Sequence, residues 1–157
     1  MNKTGDNNIN QTQRPSETIE DSFVPKIIAY CCNWCSYAGA DLAGVSRLNY
    51  PTNIRIVRVM CSGRVDPAFI LKSFLKGADG VLVAGCHPGD CHYLEGNLNA
   101  ETRINNTIEA LKGLGFETDR LRLEWISASE GQRFAQLMKE FTWKIQELGP
   151  IKKLAYT

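Results

Sequence analysis

The side chains in this sequence with the clearest chemical potential are its cysteines, of which there are six. They fall into three groups, and none lies in the last third of the chain: Cys31, Cys32 and Cys35; Cys61; Cys86 and Cys91. Thiolate sulfur is a soft ligand that binds zinc and forms iron–sulfur clusters. In a reducing cytosol, clustered thiols more often bind metal or do redox work than form disulfides. The cysteines therefore predict a thiolate-ligated metal centre, with zinc and iron–sulfur both open.

Each cysteine group comes at or just after a predicted strand. Residues 26–31, 54–60 and 80–85 are short apolar or β-branched runs of the kind found in buried strands. A further run, residues 121–126, alternates apolar and polar side chains and also predicts a strand. The carboxyl ends of parallel strands share one edge of a sheet, and open α/β sheets bind their ligands there. We therefore expect the three cysteine groups to meet at that edge.

Helical patterns separate these strands and complete the predicted fold. They cover residues 37–48, 67–76, 101–114 and a last helix that ends at Leu148. Asp66 is the expected N-cap of the second helix, and Ser127 or Ser129 that of the last. The order β-α-β-α-β-α-β-α predicts an α/β fold with a single open parallel sheet of about four strands, flanking helices and right-handed crossovers. The expected topology is flavodoxin-like.

Composition limits the remaining possibilities. The 157 residues are 43% apolar and 22% charged, which indicates about one soluble domain. We expect a flexible polar tail over residues 1–25, the domain over residues 26–149 and a C-terminal tail over residues 150–157. A net charge of +1 argues against nucleic acid or a membrane surface as partner. Because no apolar stretch approaches about 18 residues and no secretory signal is recognisable, we expect a cytoplasmic protein without membrane spans.

Cys32 and Cys35 form a Cys-x-x-Cys motif at a strand-to-helix junction, where a helix N-terminus stabilises a thiolate. On its own this motif predicts a dithiol oxidoreductase, but that function leaves Cys61, Cys86 and Cys91 without a role. A four-thiolate metal site uses more of the cysteines. Neighbouring residues of a strand point to opposite faces, so Cys31 is expected to lie outside the site. Five candidates then remain for four ligand positions.

The loop of residues 85–92 holds the densest set of chemical groups. Gly85 and Gly89 allow the backbone to approach a cofactor closely, with N–H groups turned toward sulfur. His87 and His92 are alternative ligands, as in a Rieske-type centre. With five cysteines available, we favour a different role for both histidines, in which they donate hydrogen bonds beside the centre or to a partner.

Other chemical motifs contribute little. Trp34, Tyr37 and Tyr93 flank the cysteines and either shield a metal centre from water or pack in the core. No Ser/His/Asp arrangement, phosphate-binding P-loop or dinucleotide fingerprint is recognisable in the sequence.

Three segments of the sequence, residues 32–41, 58–67 and 80–93, closely resemble the delta subunit of methyl-viologen-reducing hydrogenase. The similarity runs from about Lys26 to Leu148. Cys31 falls outside the family's motif pattern, and so does the polar N-terminal tail. The resemblance implies an iron–sulfur protein with a [2Fe-2S] cluster. The cysteines that match the family's motif are Cys32, Cys35, Cys61, Cys86 and Cys91.

The resemblance also implies a role. Members of this family carry electrons between a hydrogenase or formate dehydrogenase and the flavin-containing subunit of heterodisulfide reductase. We therefore expect a non-catalytic electron-transfer subunit of an oxidoreductase complex. Two alternatives stay open from the residues alone: a scaffold module with structural zinc, and a dithiol oxidoreductase that uses Cys32 and Cys35. Structural zinc is less needed here, because the chain is long enough to bury a core without a staple.

Overall fold

In the computed structural model, which describes residues 23–151, four parallel strands form one open sheet. The strands are Ile27–Cys32 (β1), Ile54–Val59 (β2), Gly80–Gly85 (β3) and Leu121–Trp125 (β4). Their spatial order is β2-β1-β3-β4, and every neighbouring pair is parallel. This order is the flavodoxin-like doubly wound arrangement. The predicted α/β fold with a four-stranded parallel sheet is confirmed.

Helices cover both faces of the sheet, which is why the central strands are apolar throughout. The helices are Ser36–Val45 (α1), Pro67–Leu75 (α2), Gly96–Gly113 (α3) and Gly131–Leu148 (α4). α1 and α4 cover one face, where Phe134 and Phe141 are fully buried, and α2 and α3 cover the other around Ile70 and Ile104. All six residues of β3 are buried, as expected for a strand that is covered on both faces.

Helix α2 begins as predicted. The side chain of Asp66 accepts a hydrogen bond of 2.8 Å from the backbone N–H of Ala68, and Pro67 is the first helical residue. Pro67 has no N–H to leave unsatisfied, so it fits the first turn of a helix. Helix α1 ends earlier than predicted, at Val45 rather than residue 48, because Arg47 adopts a left-handed conformation with φ of 54°.

The start of α4 was predicted incorrectly. Neither Ser127 nor Ser129 caps the helix; their hydroxyls lie 3.1 Å apart, within hydrogen-bond distance of each other. The helix begins at Gly131, and the carboxylate of Glu130 accepts a hydrogen bond of 2.7 Å from the backbone N–H of Ser127. The turn before α4 is therefore closed by the side chain of Glu130, which accepts from the backbone of an earlier residue, and not by a serine side chain that accepts from the helix.

Helix α3 begins at Gly96, five residues before the predicted start at residue 101. Residues 96–100 lack the apolar periodicity on which the prediction relied. Their helical conformation instead depends on packing against the cysteines, since Gly96 lies against the sulfurs of Cys61 and Cys91.

The predicted tails mostly fall outside the described residues, which include residues 23–25 of the first and residues 150 and 151 of the second. Ile151 packs partly buried against the core beneath α2 and α3. No helix within residues 23–151 combines the length and the apolar composition that crossing a membrane requires.

Candidate metal centre

Three strand ends deliver cysteines to one edge of the sheet, as the sequence predicts. Cys32 is the last residue of β1, Cys86 follows the last residue of β3, and Cys61 comes just after β2. β1 and β3 are neighbours from which the chain departs in opposite directions, toward β2 and β4. Such a switch point opens a crevice between the loops of an open α/β sheet, and ligands bind there.

The sulfurs of these loops lie in two groups. The first, called here the sheet trio, consists of Cys32, Cys35 and Cys86: the Cys32 and Cys86 sulfurs are 3.6 Å apart, and Cys35 is hydrogen-bonded to Cys86. The second, called here the helix pair, consists of Cys61 and Cys91, whose side chains are also hydrogen-bonded. All five thiols are free. The structure thus brings the five predicted candidates into one region, in a two-part arrangement that the sequence did not reveal.

The N-terminus of α3 lies directly against the helix pair. The backbone N–H groups of Tyr93, Asn97 and Gly96 donate hydrogen bonds to the sulfur of Cys91. Burial alone would raise the pKa of the Cys91 thiol, but these donors and Cys61 together hold that pKa below its ordinary value. Cys91 is therefore held in surroundings that favour the thiolate, the form that binds metal.

Gly96 is the residue that lets the helix come so close. A Cβ atom added to Gly96 would overlap the sulfur of Cys61 and lie 3.2 Å from that of Cys91. Only glycine leaves room for both sulfurs at this first helical position. Gly96 was not identified from the sequence, although a glycine within a few residues of a cysteine loop is a signal that could have pointed to it.

Three of the other thiols have raised pKa values. Burial raises the pKa of Cys86, and its hydrogen bonds and proximity to Cys35 and Cys32 raise it further. Burial likewise raises the pKa values of Cys35 and Cys61. The charges of neighbouring thiols add to this rise, whereas the hydrogen bond with Cys86 partly offsets it at Cys35. Thiols packed this closely cannot all ionise beside one another. A bound cation reverses that balance, because a coordinating thiol loses its proton to the metal.

Cys31 lies apart from the other five cysteines. It is fully buried in the core beneath α1 and α4, on the face of β1 opposite to Cys32. Burial raises the pKa of the Cys31 thiol to about 12, so this side chain stays neutral at physiological pH. The structure therefore places Cys31 among the packing residues, where the alternation of the strand predicts it.

The loop after β3 is fixed by Asn97, a second residue that the sequence did not reveal. Asn97 is completely buried, and its side-chain amide donates hydrogen bonds to the carbonyls of Cys86 (3.1 Å) and His87 (2.8 Å). The same residue donates its backbone N–H to Cys91. Asn97 thus connects both ends of the loop to the start of α3 and holds Cys86 and Cys91 in a fixed relation.

The two histidines of the loop make contacts in different directions. His87 Nε2 lies 2.7 Å from a carboxylate oxygen of Glu130, which ties the loop to the start of α4. The N–H of Ser127 and the neighbouring His87 lower the pKa of Glu130 to about 2. His92 stacks on the indole of Trp34, with ring centroids 3.9 Å apart. These contacts fit the expected supporting role of the histidines better than a role as ligands.

Aromatic side chains form an exposed rim beside the thiols, made up of Trp34, His92 and Tyr93. The indole N–H of Trp34 donates to the hydroxyl of Tyr93 at 3.2 Å, and these two side chains are 42% and 46% exposed. Tyr37 does not belong to the rim, because it packs against the core and lies beneath the guanidinium of Arg58. Of the three flanking aromatic residues, two therefore border the site and one is a packing residue.

The donor set fits a thiolate-bound group. The five thiols lie at one edge, Gly96 leaves room for the sulfurs of two of them, and a bound cation would compensate the charge of their thiolates. No three His, Cys, Asp or Glu side chains of residues 23–151 are grouped closely enough to hold a single ion. The five thiols supply soft sulfur donors of the kind that zinc and iron–sulfur clusters take.

Comparison with known proteins decides the family. The sequence profile described as "Methyl-viologen-reducing hydrogenase, delta subunit" matches residues 27–149 of this chain. The chain belongs to this family. The match begins at the first residue of β1 and extends just past the end of α4, so the delta-subunit family shares the whole sheet and all its helices.

Individual relatives of this delta-subunit family agree with the profile. The iron-sulfur subunit of the vhc F420-non-reducing hydrogenase from Methanococcus voltae is 54% identical over 84% of this chain and 92% of its own length. The iron-sulfur subunit of the F420-non-reducing hydrogenase from Archaeoglobus profundus is 51% identical over 85% of this chain and 98% of its own length.

A different kind of relative is a much longer protein. It is one of the subunits of the Ferredoxin/F(420)H(2)-dependent CoB-CoM heterodisulfide reductase from Methanosarcina acetivorans, and it is 52% identical over 85% of this chain. The matching segment makes up only 17% of that relative. The delta-subunit unit therefore occurs both as a separate chain and as one part of a larger polypeptide.

Proposed function

We propose that this chain is an electron-transfer subunit that holds a [2Fe-2S] cluster and relays electrons between a hydrogenase or formate dehydrogenase and the flavin-containing subunit of heterodisulfide reductase. The observation that carries the proposal is the convergence of five thiols, in two groups, at the switch point of the sheet. The cluster would supply a site that accepts and gives up one electron. The protein's part is to supply thiolates, exclude water and present the site to partners.

The two-part arrangement of sulfurs supports a cluster over zinc. A structural zinc needs four donors around one point, whereas a cluster with two irons takes two thiolates on each. Two thiolates on one tetrahedral metal, with bonds of about 2.3 Å, lie about 3.8 Å apart. The 3.6 Å separation of the Cys32 and Cys86 sulfurs is close to that value. We propose that Cys61 and Cys91 bind one iron and two members of the sheet trio bind the other.

The surroundings of Cys35 argue against the dithiol oxidoreductase. A nucleophilic thiol in a Cys-x-x-Cys motif needs a lowered pKa, which a helix N-terminus commonly provides. Cys35 precedes the first residue of α1, yet burial raises its pKa by more than its hydrogen bond with Cys86 lowers it. Its thiol is also hydrogen-bonded to Cys86, so it is not free to attack a substrate.

The partner assignment rests on the relatives. Iron–sulfur subunits of hydrogenases are among the most similar proteins, and a much longer heterodisulfide reductase polypeptide contains the same unit within its own chain. A unit that occurs as part of a larger polypeptide in one organism is a natural neighbour of that polypeptide when the two are separate chains. The exposed aromatic rim provides the surface at which a partner can approach the thiols.

The test is metal analysis and spectroscopy of the protein purified without oxygen. We expect two irons and two sulfides per chain, visible absorption, and an EPR signal of a single unpaired electron that develops on reduction. The reduced protein should pass its electron to the flavin-containing subunit of heterodisulfide reductase. A colourless protein that contains zinc would overturn the proposal.

Variants of single cysteines complete this test. Cys61→Ser and Cys91→Ser should each lose most of the cluster, because the helix pair has no spare thiol. Cys31→Ala is the matched control: its sulfur lies in the core, so absorption and EPR should stay as in the wild type. Full cluster occupancy in Cys61→Ser would contradict the assignment.

A further inference from the structure

The hydroxyl of Ser62 is buried beside the thiols without a hydrogen-bond partner. Among residues 23–151, only two buried side-chain polar atoms lack a partner, the hydroxyls of Ser62 and Thr142. Ser62 is 1% exposed. Leaving a buried hydroxyl unsatisfied costs free energy, so such a group in a native protein calls for an explanation.

Ser62 lies where the cysteine-bearing loops come together. It follows Cys61 directly and begins the short 3₁₀ helix Ser62–Arg64. Its hydroxyl lies over Gly85, where an added Cβ atom would be 2.7 Å from the oxygen. Gly85 comes one residue after Ala84, the register partner of Cys31, and so lies next to Cys32 and just before Cys86. Ser62 therefore follows one cysteine, Cys61, in the chain and lies over a glycine whose neighbours are Cys32 and Cys86.

Two backbone carbonyls next to Ser62 already accept hydrogen bonds from other groups. The carbonyl of Cys61 accepts from the N–H of Arg64, and the carbonyl of Gly85 accepts from that of Ile126, both at 2.9 Å. The buried hydroxyl of Ser36 shows the ordinary solution: it donates to the carbonyl of Ala84 at 2.6 Å. Ser62 makes no such bond within the described part of the chain. The thiols of the neighbouring loops are the other acceptors at this edge of the sheet, and none of the described sulfurs accepts from Ser62.

We propose that the Ser62 hydroxyl donates a hydrogen bond to sulfur of the bound cluster, either an inorganic sulfide or a ligating thiolate, and thereby raises its reduction potential. This inference rests on the proposed function. A hydrogen bond to sulfur stabilises the additional negative charge of the reduced form more than it stabilises the oxidised form. Ser62 is a positioning and tuning residue, and it does not bind iron itself.

The test is a redox titration of the Ser62→Ala protein, followed by EPR and purified in the same way as the wild type. We expect the ratio of reduced to oxidised protein at a fixed potential to fall about tenfold, which corresponds to about 59 mV for one electron. Ser62→Thr keeps the hydroxyl and should restore most of the wild-type value. Pulsed EPR in D₂O should detect an exchangeable deuteron near the cluster that Ser62→Ala loses and Ser62→Thr keeps.

Thr142→Val is the matched control, because it removes the other unpartnered buried hydroxyl, which lies on α4. Its potential should equal that of the wild type. If Ser62→Ala binds too little cluster to titrate, Ser62→Cys, a weaker donor, should have a lower potential than the wild type. An unchanged potential in Ser62→Ala or Ser62→Cys, or an equal shift in Thr142→Val, would overturn the inference. A wild-type protein without a cluster would instead refute the proposed function.

Discussion

At the scale of single residues, the site depends as much on a glycine, which has no side chain, as on the cysteines. Gly96 is where the backbone of α3 meets the sulfurs of Cys61 and Cys91. The cysteines could be selected from the sequence, since each follows a strand and Cys31 falls on the opposite face from Cys32. The grouping of Cys61 with Cys91 could not, because it results from how α3 docks, and no local pattern encodes that contact.

Gly96→Ala tests this close approach. The added methyl group has to displace the sulfur of Cys61, so we expect the variant to lose most of its iron. α3 itself should persist, because alanine is the better helix former by about 1 kcal/mol. The measurement is iron content and visible absorption together with far-UV circular dichroism.

Gly113→Ala provides the control on the same helix. No atom lies within 4 Å of a Cβ added at Gly113, so iron content should stay at the wild-type level. If Gly96→Ala retained its full iron content, the glycine would not be needed for the site.

At the scale of elements, the strands were easier to predict than the helix starts. β1, β2 and β3 are short apolar runs, and burial on both faces or on one face explains their composition. The start of α2 followed from Asp66 and Pro67, which act locally. The starts of α3 and α4 did not follow, because Asn97 and Glu130 both form hydrogen bonds to the cysteine loop after β3, contacts that no local pattern encodes.

Glu130→Ala tests the contact that ties α4 to the cysteine loop. The variant removes the acceptor for the Ser127 N–H and for His87, and we expect it to cost about 1–3 kcal/mol of stability at pH 7. Glu130→Gln keeps an oxygen for Ser127 and should cost less. Urea unfolding of the anaerobic protein measures both, and equal stability of Glu130→Ala and the wild type would contradict this role.

The difference in stability between the wild type and Glu130→Ala depends on pH in a direction that follows from the pKa of Glu130. The pKa of Glu130 is lowered from 4.5 to about 2 in the folded protein, so its charge stabilises the fold fully above pH 4.5. As the pH falls from about 4.5 toward 2, this contribution is lost. The stability difference between wild type and Glu130→Ala should therefore narrow as the pH falls below about 4.5.

At the scale of the whole molecule, the order of the strands in the sheet brings cysteines that are far apart in the sequence to one site. Alternating strands and helices predict that Cys32, Cys61 and Cys86 share one edge, but not that β1 lies between β2 and β3. That order places the end of the first strand at the centre and the other two thiols on either side. The same edge carries the exposed rim of Trp34, His92 and Tyr93, whereas Trp143 lies on α4 near the amino end of β4.

The proposed relay predicts that the rim is needed for electron transfer but not for the cluster. Trp34 stacks on His92, bonds to Tyr93 and is 42% exposed, so it offers a large, fixed surface next to the thiols. Exposed aromatic residues of this kind often dominate the energy of protein contacts, and losing one costs about 2 kcal/mol or more. Trp34→Ala should therefore slow electron transfer to the flavin-containing subunit of heterodisulfide reductase at least about tenfold.

Trp143→Ala separates this effect from a general loss of aromatic surface. Trp143 is 63% exposed, more than Trp34, but it lines a groove with Thr118 and Asp119 just before β4 begins, at the opposite edge of the sheet from the cysteines. Stopped-flow mixing of each reduced variant with the oxidised partner gives the second-order rate constant, and EPR of the same samples confirms an intact cluster with an unchanged potential. If the rate constant fell equally in both variants, or in neither, the partner would not bind at the rim, because of these two tryptophans only Trp34 lies beside the thiols.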